Sequence, residues 1–289
     1  MTEPIARASP RFKARVAGVL YLIAGSGGGF AEVFVRGRVF VRGDAAATAA
    51  NILAHESLYR LGGAADLIAL ACDTALALIF YELLKPVNRS LSLLAAFFRL
   101  MHVAILATIT LNHFAPLVFL GGSHDLSAFS AAQLQAQTLV SLRLHALGYN
   151  ICLVFFGFTC LLLGYLIFRS TFLPRFLGVL MAIAGVGYLI NSFVHFLAPA
   201  FGAYVFRYLL VPCGIGEFVL IVWLLVFGVN AERWKLLLEH LSRKLIFHFL
   251  PIVRTGAPSG FYVNLVLPAL MIAGLALSLR NQGTLQVQE

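Results

Sequence analysis

The chain has 289 residues, of which 61% are hydrophobic and only 11% charged, with a net charge of +9 and a mean hydropathy of +0.91. A soluble domain carries about 45–50% apolar and about 25% charged residues, so this composition excludes a soluble enzyme, a disordered chain and an ordinary nucleic-acid binder. It fits an all-α, polytopic bundle of transmembrane helices, because each crossing takes about 20 mostly apolar residues.

Seven apolar runs are long enough to span. The first is Ala14–Val35. It is too long for a cleavable signal peptide, and its Gly25-Ser26-Gly27-Gly28-Gly29 patch has apolar residues on both sides. Asp44 then stands as an N-cap before Ala45–His55, which predicts a short helix in the loop ahead of the second span, Ser57–Leu84. The third span is Leu91–Phe119, followed by a long loop, Gly121–Gln137, rich in Ser, Ala and Gln. The fourth, fifth and sixth are Thr138–Phe168, Phe172–Leu197 and Ala203–Val229. Ala231–His248 puts Trp234, Leu237, Leu238, Leu241 and Leu245 on one face and reads as an amphipathic helix lying on the cytoplasmic surface. Pro251 and the stretch Arg254–Gly260 break the chain before a seventh span, Phe261–Leu279. The expected organisation is a six-span membrane domain over 1–230, with the surface helix and the appended C-terminal span over 231–289.

Basic residues orient such a chain, because Lys and Arg are retained on the cytoplasmic side. Arg7, Arg11, Lys13, Arg15, Lys85, Arg89, Arg169, Arg175, Arg233, Lys235, Arg243, Lys244 and Arg254 fall on one side. Arg36, Arg38, Arg42, Arg60, Arg143 and Arg280 fall on the other. The expectation is a multi-pass protein of the cytoplasmic membrane, its N-terminus in the cytoplasm and its C-terminus outside. Cys72, Cys152, Cys160 and Cys213 all lie in apolar runs without CxxC spacing, and read as small packing residues rather than a disulfide framework or a zinc site. The Gly25/Gly29 pair, and Gly178, Gly185 and Gly187 on the fifth run, predict close helix packing.

Several short motifs are distinctive together. They open with Ala17-Gly18-Val19-Leu20-Tyr21-Leu22-Ile23-Ala24-Gly25, then Gly43-Asp44-Ala45 with Ala49-Ala50-Asn51-Ile52, and Leu84-Lys85-Pro86-Val87-Asn88 leading to Phe97-Phe98-Arg99. Phe155-Phe156-Gly157-Phe158, Leu173-Pro174-Arg175, Ala184-Gly185-Val186-Gly187-Tyr188-Leu189-Ile190-Asn191 and Gly216-Glu217 with Trp223-Leu224-Leu225 follow. On these residues the chain from Arg15 to Asn230 resembles a bacterial membrane-protein family known only as domain of unknown function 4386. The resemblance implies a six-span core in the cytoplasmic membrane and no reaction. Beyond Asn230 the chain departs from that pattern.

Ionisable groups inside a bilayer are costly and mark functional candidates. Counting from the span ends, Asp73, Arg99, His102 and Glu217 fall near the midplane, and Glu32, Asp66, His113, His145, Asn150, Asn191 and His195 in the outer half. Arg99 with two carboxylates at its depth predicts a buried ion pair with Asp73, Glu217 or both. Such a triad serves either as glue fixing helix register or as a site for a substrate or proton. Asp66 and Asp73, seven apart on one helix face, would line a water-filled cavity opening outward, with Glu32, His113, His145 and His195. The candidates for binding a solute or ion are therefore Asp73, Arg99, His102, Glu217, Asp66, Glu32, His145, Asn191 and His195.

No metal site and no cofactor are expected, since no two of the intramembrane histidines have the i, i+3 or i, i+4 spacing that places two ligands on one helix. Phosphate-binding glycine loops and a serine nucleophile elbow are also absent. The expected partners are membrane lipids and a small solute or proton, not nucleic acid, and the sequence assigns no oligomeric state. Three readings stay open. A handler of a small solute or ion, favoured over an enzyme, needs a continuous cavity that opens outward and reaches Asp73. A metal-dependent intramembrane hydrolase acting on lipid needs a bound metal. A non-catalytic scaffold needs a dry, fully paired triad. Gly18-Val19-Leu20-Tyr21-Leu22-Ile23 and Gly185-Val186-Gly187-Tyr188-Leu189-Ile190 are similar, a six-residue echo too short to define a repeat.

Overall fold

The computed structural model describes residues 9–122 and 126–241, and every regular element among them is helical. Six helices are long and apolar enough to cross a membrane: Pro10–Val39, Glu56–Leu84, Arg89–Leu120, Ala131–Arg169, Arg175–Leu197 and Tyr208–Val226. They are the first to sixth spans below. The protein is thus an all-α membrane bundle, as its composition implies.

Local chemistry sets the helix ends. Ser9 accepts from Phe12 N ahead of Pro10, and Asn88 accepts from Leu91 N ahead of the third span. Gly228 (φ 67°) closes the sixth, its N–H donating to Trp223 O at 3.0 Å. Two boundaries differ from expectation. The first span runs past Val35 to Val39 through a widened π-helical stretch, Phe30–Arg36. The fourth starts at Ala131, because Ser130 and Gln133 form a reciprocal capping box, which turns nearly half of the expected Gly121–Gln137 loop into helix.

Each span packs on the next in chain order, and the sixth returns to the first, closing a ring. The short helix Ala45–Ala54 lies against the fourth span, its first turn held by Asp44 Oδ1 accepting from Ala47 N at 2.8 Å. Its Ile52 joins Val35, Val39, Tyr59 and Leu142 in a buried cluster over the Val39 end of the bundle. Removing an Asp cap costs about 1 kcal/mol. Asp44→Ala should therefore raise amide exchange through 45–54 by about fivefold and leave the spans unchanged; equal exchange in that helix would remove the cap from this account.

At the opposite, Pro10 end the ring is dense. Leu83, Leu84, Leu166, Ile167, Leu177 and Leu220 are fully buried there, and Lys13 and Lys85 both bind Glu82, at 3.3 and 2.7 Å. Gly157 and Gly164 on the fourth span meet Gly185 and Gly178 on the fifth at backbone distance. Gly25 and Gly29 do not pack in this way: a Cβ on either would meet nothing within 4 Å, and it is Gly27 that approaches Ala65 O of the second span. All four cysteines are free.

The chain divides into two units after Val229. In the second, residues 231–241 form a helix with Trp234, Leu237, Leu238 and Leu241 half-buried and Arg233, Lys235, Leu236, Glu239 and His240 exposed. The remainder of the expected amphipathic helix and the seventh span, Phe261–Leu279, lie outside the described residues.

Candidate functional site

The second span supplies the axis of the site. Asp66 and Asp73, two turns apart, both face the interior of the ring, at 4% and 7% exposure. Each holds an arginine from a neighbouring span, which gives two layers of buried charge.

In the deeper layer Arg99, 1% exposed, places Nε 3.0 Å from Asp73 Oδ1, and its Nη2 donates to the same oxygen. The guanidinium also lies over the rings of Tyr21, Phe80 and Phe156 at 4.9, 5.5 and 5.6 Å. His102 Nε2 is 4.0 Å from Asp73 Oδ2, and its Nδ1 lies 3.2 Å from Cys152 O. Asp73 Oδ2 and Arg99 Nη1 are buried without a hydrogen-bond partner. Glu217 does not join this pair. Its carboxylate accepts from Tyr21 OH at 2.7 Å and from Tyr188 OH. The three charges expected to form one triad are an ion pair and a separate, hydroxyl-bound carboxylate. A rigid phenol reaches Glu217 from each flanking span, so the carboxylate is hydrogen-bonded without a cation.

In the second layer Arg36 is the hub. Its Nη1 lies 2.6 Å from Asp66 Oδ2, its Nε 2.7 Å from Glu32 Oε2, and its Nη1 3.3 Å from His113 Nδ1. His113 and Tyr59 lock the second and third spans together. Tyr59 OH donates to His113 O at 2.6 Å, His113 Nε2 is 2.9 Å from Tyr59 O, and the two rings stack at 4.1 Å. His145 sits beside this group with Nδ1 3.0 Å from Ile109 O and Nε2 unpartnered.

A cavity of about 490 Å³ joins the layers. Arg36 and Asp66 line one part, and Asp73, His102, Tyr188 and Glu217 another. The other candidates lie outside it. Asn191 donates to Asn150 Oδ1 at 3.1 Å, an amide pair that ties the fourth and fifth spans. His195 is half-buried near the end of the fifth span, its ring edge-on to Phe196. Glu32 reaches the second layer only through Arg36. Among the described residues no three His, Cys, Asp or Glu side chains form a group able to hold a metal ion.

Sequence reasoning missed Arg36, Tyr21 and Tyr188 as site residues. Arg36 was expected in a loop as an orienting charge. The available signal was Glu32 four residues before it, the spacing of a helical ion pair inside an apolar run. Tyr21 and Tyr188 occupy the same place in the two similar hexapeptides, and both deliver their hydroxyls to Glu217.

Residues 16–228 match the family described as Domain of unknown function (DUF4386). An uncharacterised protein of Archaeoglobus fulgidus is 31% identical over 158 residues, which cover 54% of this chain and 76% of that relative. No solved structure matches the chain.

Proposed function

The chain belongs to the DUF4386 family, and from that premise we propose that it binds and handles a small polar solute or ion inside the membrane. The observation that carries this reading is the cavity, which reaches Asp66 with Arg36 and also Asp73, His102 and Glu217. A purely structural triad would be dry and fully paired, and the buried, unpartnered Oδ2 of Asp73, a residue that lines the cavity, argues against that. Binding pockets combine apolar walls with a few convergent polar groups, as this one does. Its volume falls within the roughly 300–1,000 Å³ of small-molecule sites.

The orientation proposed is an N-terminus in the cytoplasm of a cytoplasmic-membrane protein. Burial of Arg36 in an ion cluster supports this, because it removes an apparent exception from the opposite side of the charge count. Lipid is the surrounding partner of the exposed apolar surfaces.

Cysteine labelling tests the cavity. In a variant with the four native cysteines replaced, Ala69→Cys and Leu106→Cys place thiols on its wall. A small thiosulfonate that also crosses the bilayer should modify both in reconstituted vesicles, because the reaction needs a hydrated thiolate. Modification of a control thiol at Ser127, with neither cavity thiol reacting over hours, would show a dry interior and end this reading.

A further inference from the structure

We infer that the cavity accepts a lipophilic amine, a protonated nitrogen on a hydrocarbon tail, entering sideways from the bilayer between the first and sixth spans. This rests on the cavity being a binding site and names the chemistry it selects. Three independent features lead to it.

The first is the opening. Toward the Pro10 end the two spans touch: a Cβ on Gly18 would lie 3.0 Å from the backbone of Leu225, and one on Gly228 would lie 3.5 Å from Arg11 O. Further along the spans they part. Gly25, Gly28 and Gly29 on the first and Gly214 on the sixth line the cavity, and a Cβ on any of them would meet nothing within 4 Å. Leu22 and Phe218, 42% and 59% exposed on the outside of the ring, line it too. The cavity wall is therefore continuous with the surface that faces acyl chains. The Val39 end, by contrast, is covered by the Ile52–Tyr59–Leu142 cluster.

The second is charge. Asp66 is matched by Arg36, and Asp73 by Arg99. Both Arg99 contacts use Oδ1, so Oδ2 stays buried, unpartnered and in a residue on the cavity wall. Glu217 receives hydroxyls alone and pairs with no cation among the described residues. Arg99 Nη1 is also left over, but Arg99 is not among the residues on the cavity wall. Those that are there, Asp73 and Glu217, leave acceptors with an anionic excess, which a protonated amine satisfies and a carboxylate or phosphate would oppose.

The third is the aromatic lining. Tyr21, Tyr149, Phe156 and Tyr188 face the same space. Arg99 already lies over Tyr21 and Phe156, so these rings offer their faces to a cation. A nitrogen held near Asp73 Oδ2 and Glu217 would leave its tail to run past Gly25 and Gly29 into lipid.

Calorimetry on the full chain in lipid nanodiscs, corrected against empty discs, tests this with n-octylamine, 1-octanol, octanoate and methylamine. Octylamine should bind saturably, and the other three at least about tenfold more weakly, the step worth about 1.4 kcal/mol. Glu217→Gln keeps an oxygen acceptor for one tyrosine, offers its N–H to the hydroxyl oxygen of the other, and removes the charge, so it should weaken octylamine by about tenfold with little change in melting temperature. Gly25→Leu/Gly29→Leu fills the opening where nothing stands in the way, and should abolish octylamine binding without lowering the melting temperature. Octanoate or octanol binding as tightly as octylamine, or full affinity in Glu217→Gln, would overturn the choice of an amine. Methylamine equal to octylamine, or full affinity in the glycine variant, would overturn lateral entry. If octylamine fails to bind while Leu106→Cys is still modified, the amine is wrong and the polar cavity stands.

Discussion

Arg99→Met is expected to lower stability by about 3–5 kcal/mol, because breaking a buried ion pair from one side strands the other charge. Arg99 is 1% exposed and Asp73 7%, and no other Lys or Arg pairs with Asp73 among the described residues. Met keeps most of the side-chain length, so the loss reports the charge, with its contacts to the Tyr21, Phe80 and Phe156 rings, rather than an empty volume. Adding Asp73→Val removes the stranded carboxylate and should recover most of the stability. Thermal melting of the two single variants and the double variant in detergent closes the cycle and isolates the pair. Adding Glu217→Gln should then change the double variant by no more than it changes the wild type, because Glu217 is held by Tyr21 and Tyr188 rather than by Arg99. Should Arg99→Met melt with the wild type, Asp73 is not paired as described. A non-additive effect of Glu217→Gln would restore the single triad expected from depth alone.

Apolar runs about 20 residues long leave helices as the only economical solution in lipid, so the six spans and their order were legible. So was the Asp44-capped helix, because an N-cap is a local interaction between residues three apart. Depth along a span was legible as well, and it placed Asp73, Arg99 and Glu217 together. Azimuth was not. Whether Arg99 turns toward Asp73 or Glu217 depends on the rotation of three helices, and long-range packing sets that rotation. The same limit explains Arg36. Counted by depth it sits at the end of an apolar run beside Arg38 and Arg42, and only the widened stretch Phe30–Arg36 carries it into the ring as the hub of the second layer.

The tyrosines illustrate a different limit. Tyr21 and Tyr188 carry no charge and sit in apolar runs, so a search for intramembrane ions passes over them. Glu217 nevertheless depends on both, since a buried carboxyl group away from a cation needs hydrogen-bonding partners. The echo between Gly18–Ile23 and Gly185–Ile190 held that information, but it became meaningful only once the first and fifth spans were seen to flank the sixth. Dense packing at the Pro10 end and a cavity nearer the Val39 end divide the bundle into a rigid half and a half with space for a ligand. That division follows from where glycines face, which composition does not reveal.

Gly164→Val and Gly25→Ala should therefore move stability in opposite directions, although both glycines lie in apolar spanning helices. A Cβ on Gly164 would stand 2.7 Å from Gly178 O, 2.8 Å from Ala182 N and 3.1 Å from Ala182 Cα. Those atoms are backbone, so no side chain can swing away and the fourth and fifth spans must separate as bodies. Separation would also disturb the matching contact of Gly157 with Gly185 and the Asn150–Asn191 amide pair on the same interface. Overpacking a tight site costs about 1–3 kcal/mol and sometimes more. The cost for Gly164→Val should reach about 3 kcal/mol, because small residues are what let membrane helices approach at all. Gly25 faces open space, so an added methyl group meets nothing and the helix gains about 0.5–1 kcal/mol by losing a glycine from its interior. Melting temperatures measured in one detergent should fall for Gly164→Val and hold or rise for Gly25→Ala. A fall for Gly25→Ala as large as that for Gly164→Val would mean that the first span is packed along its glycine face, and that the opening between the first and sixth spans is closed.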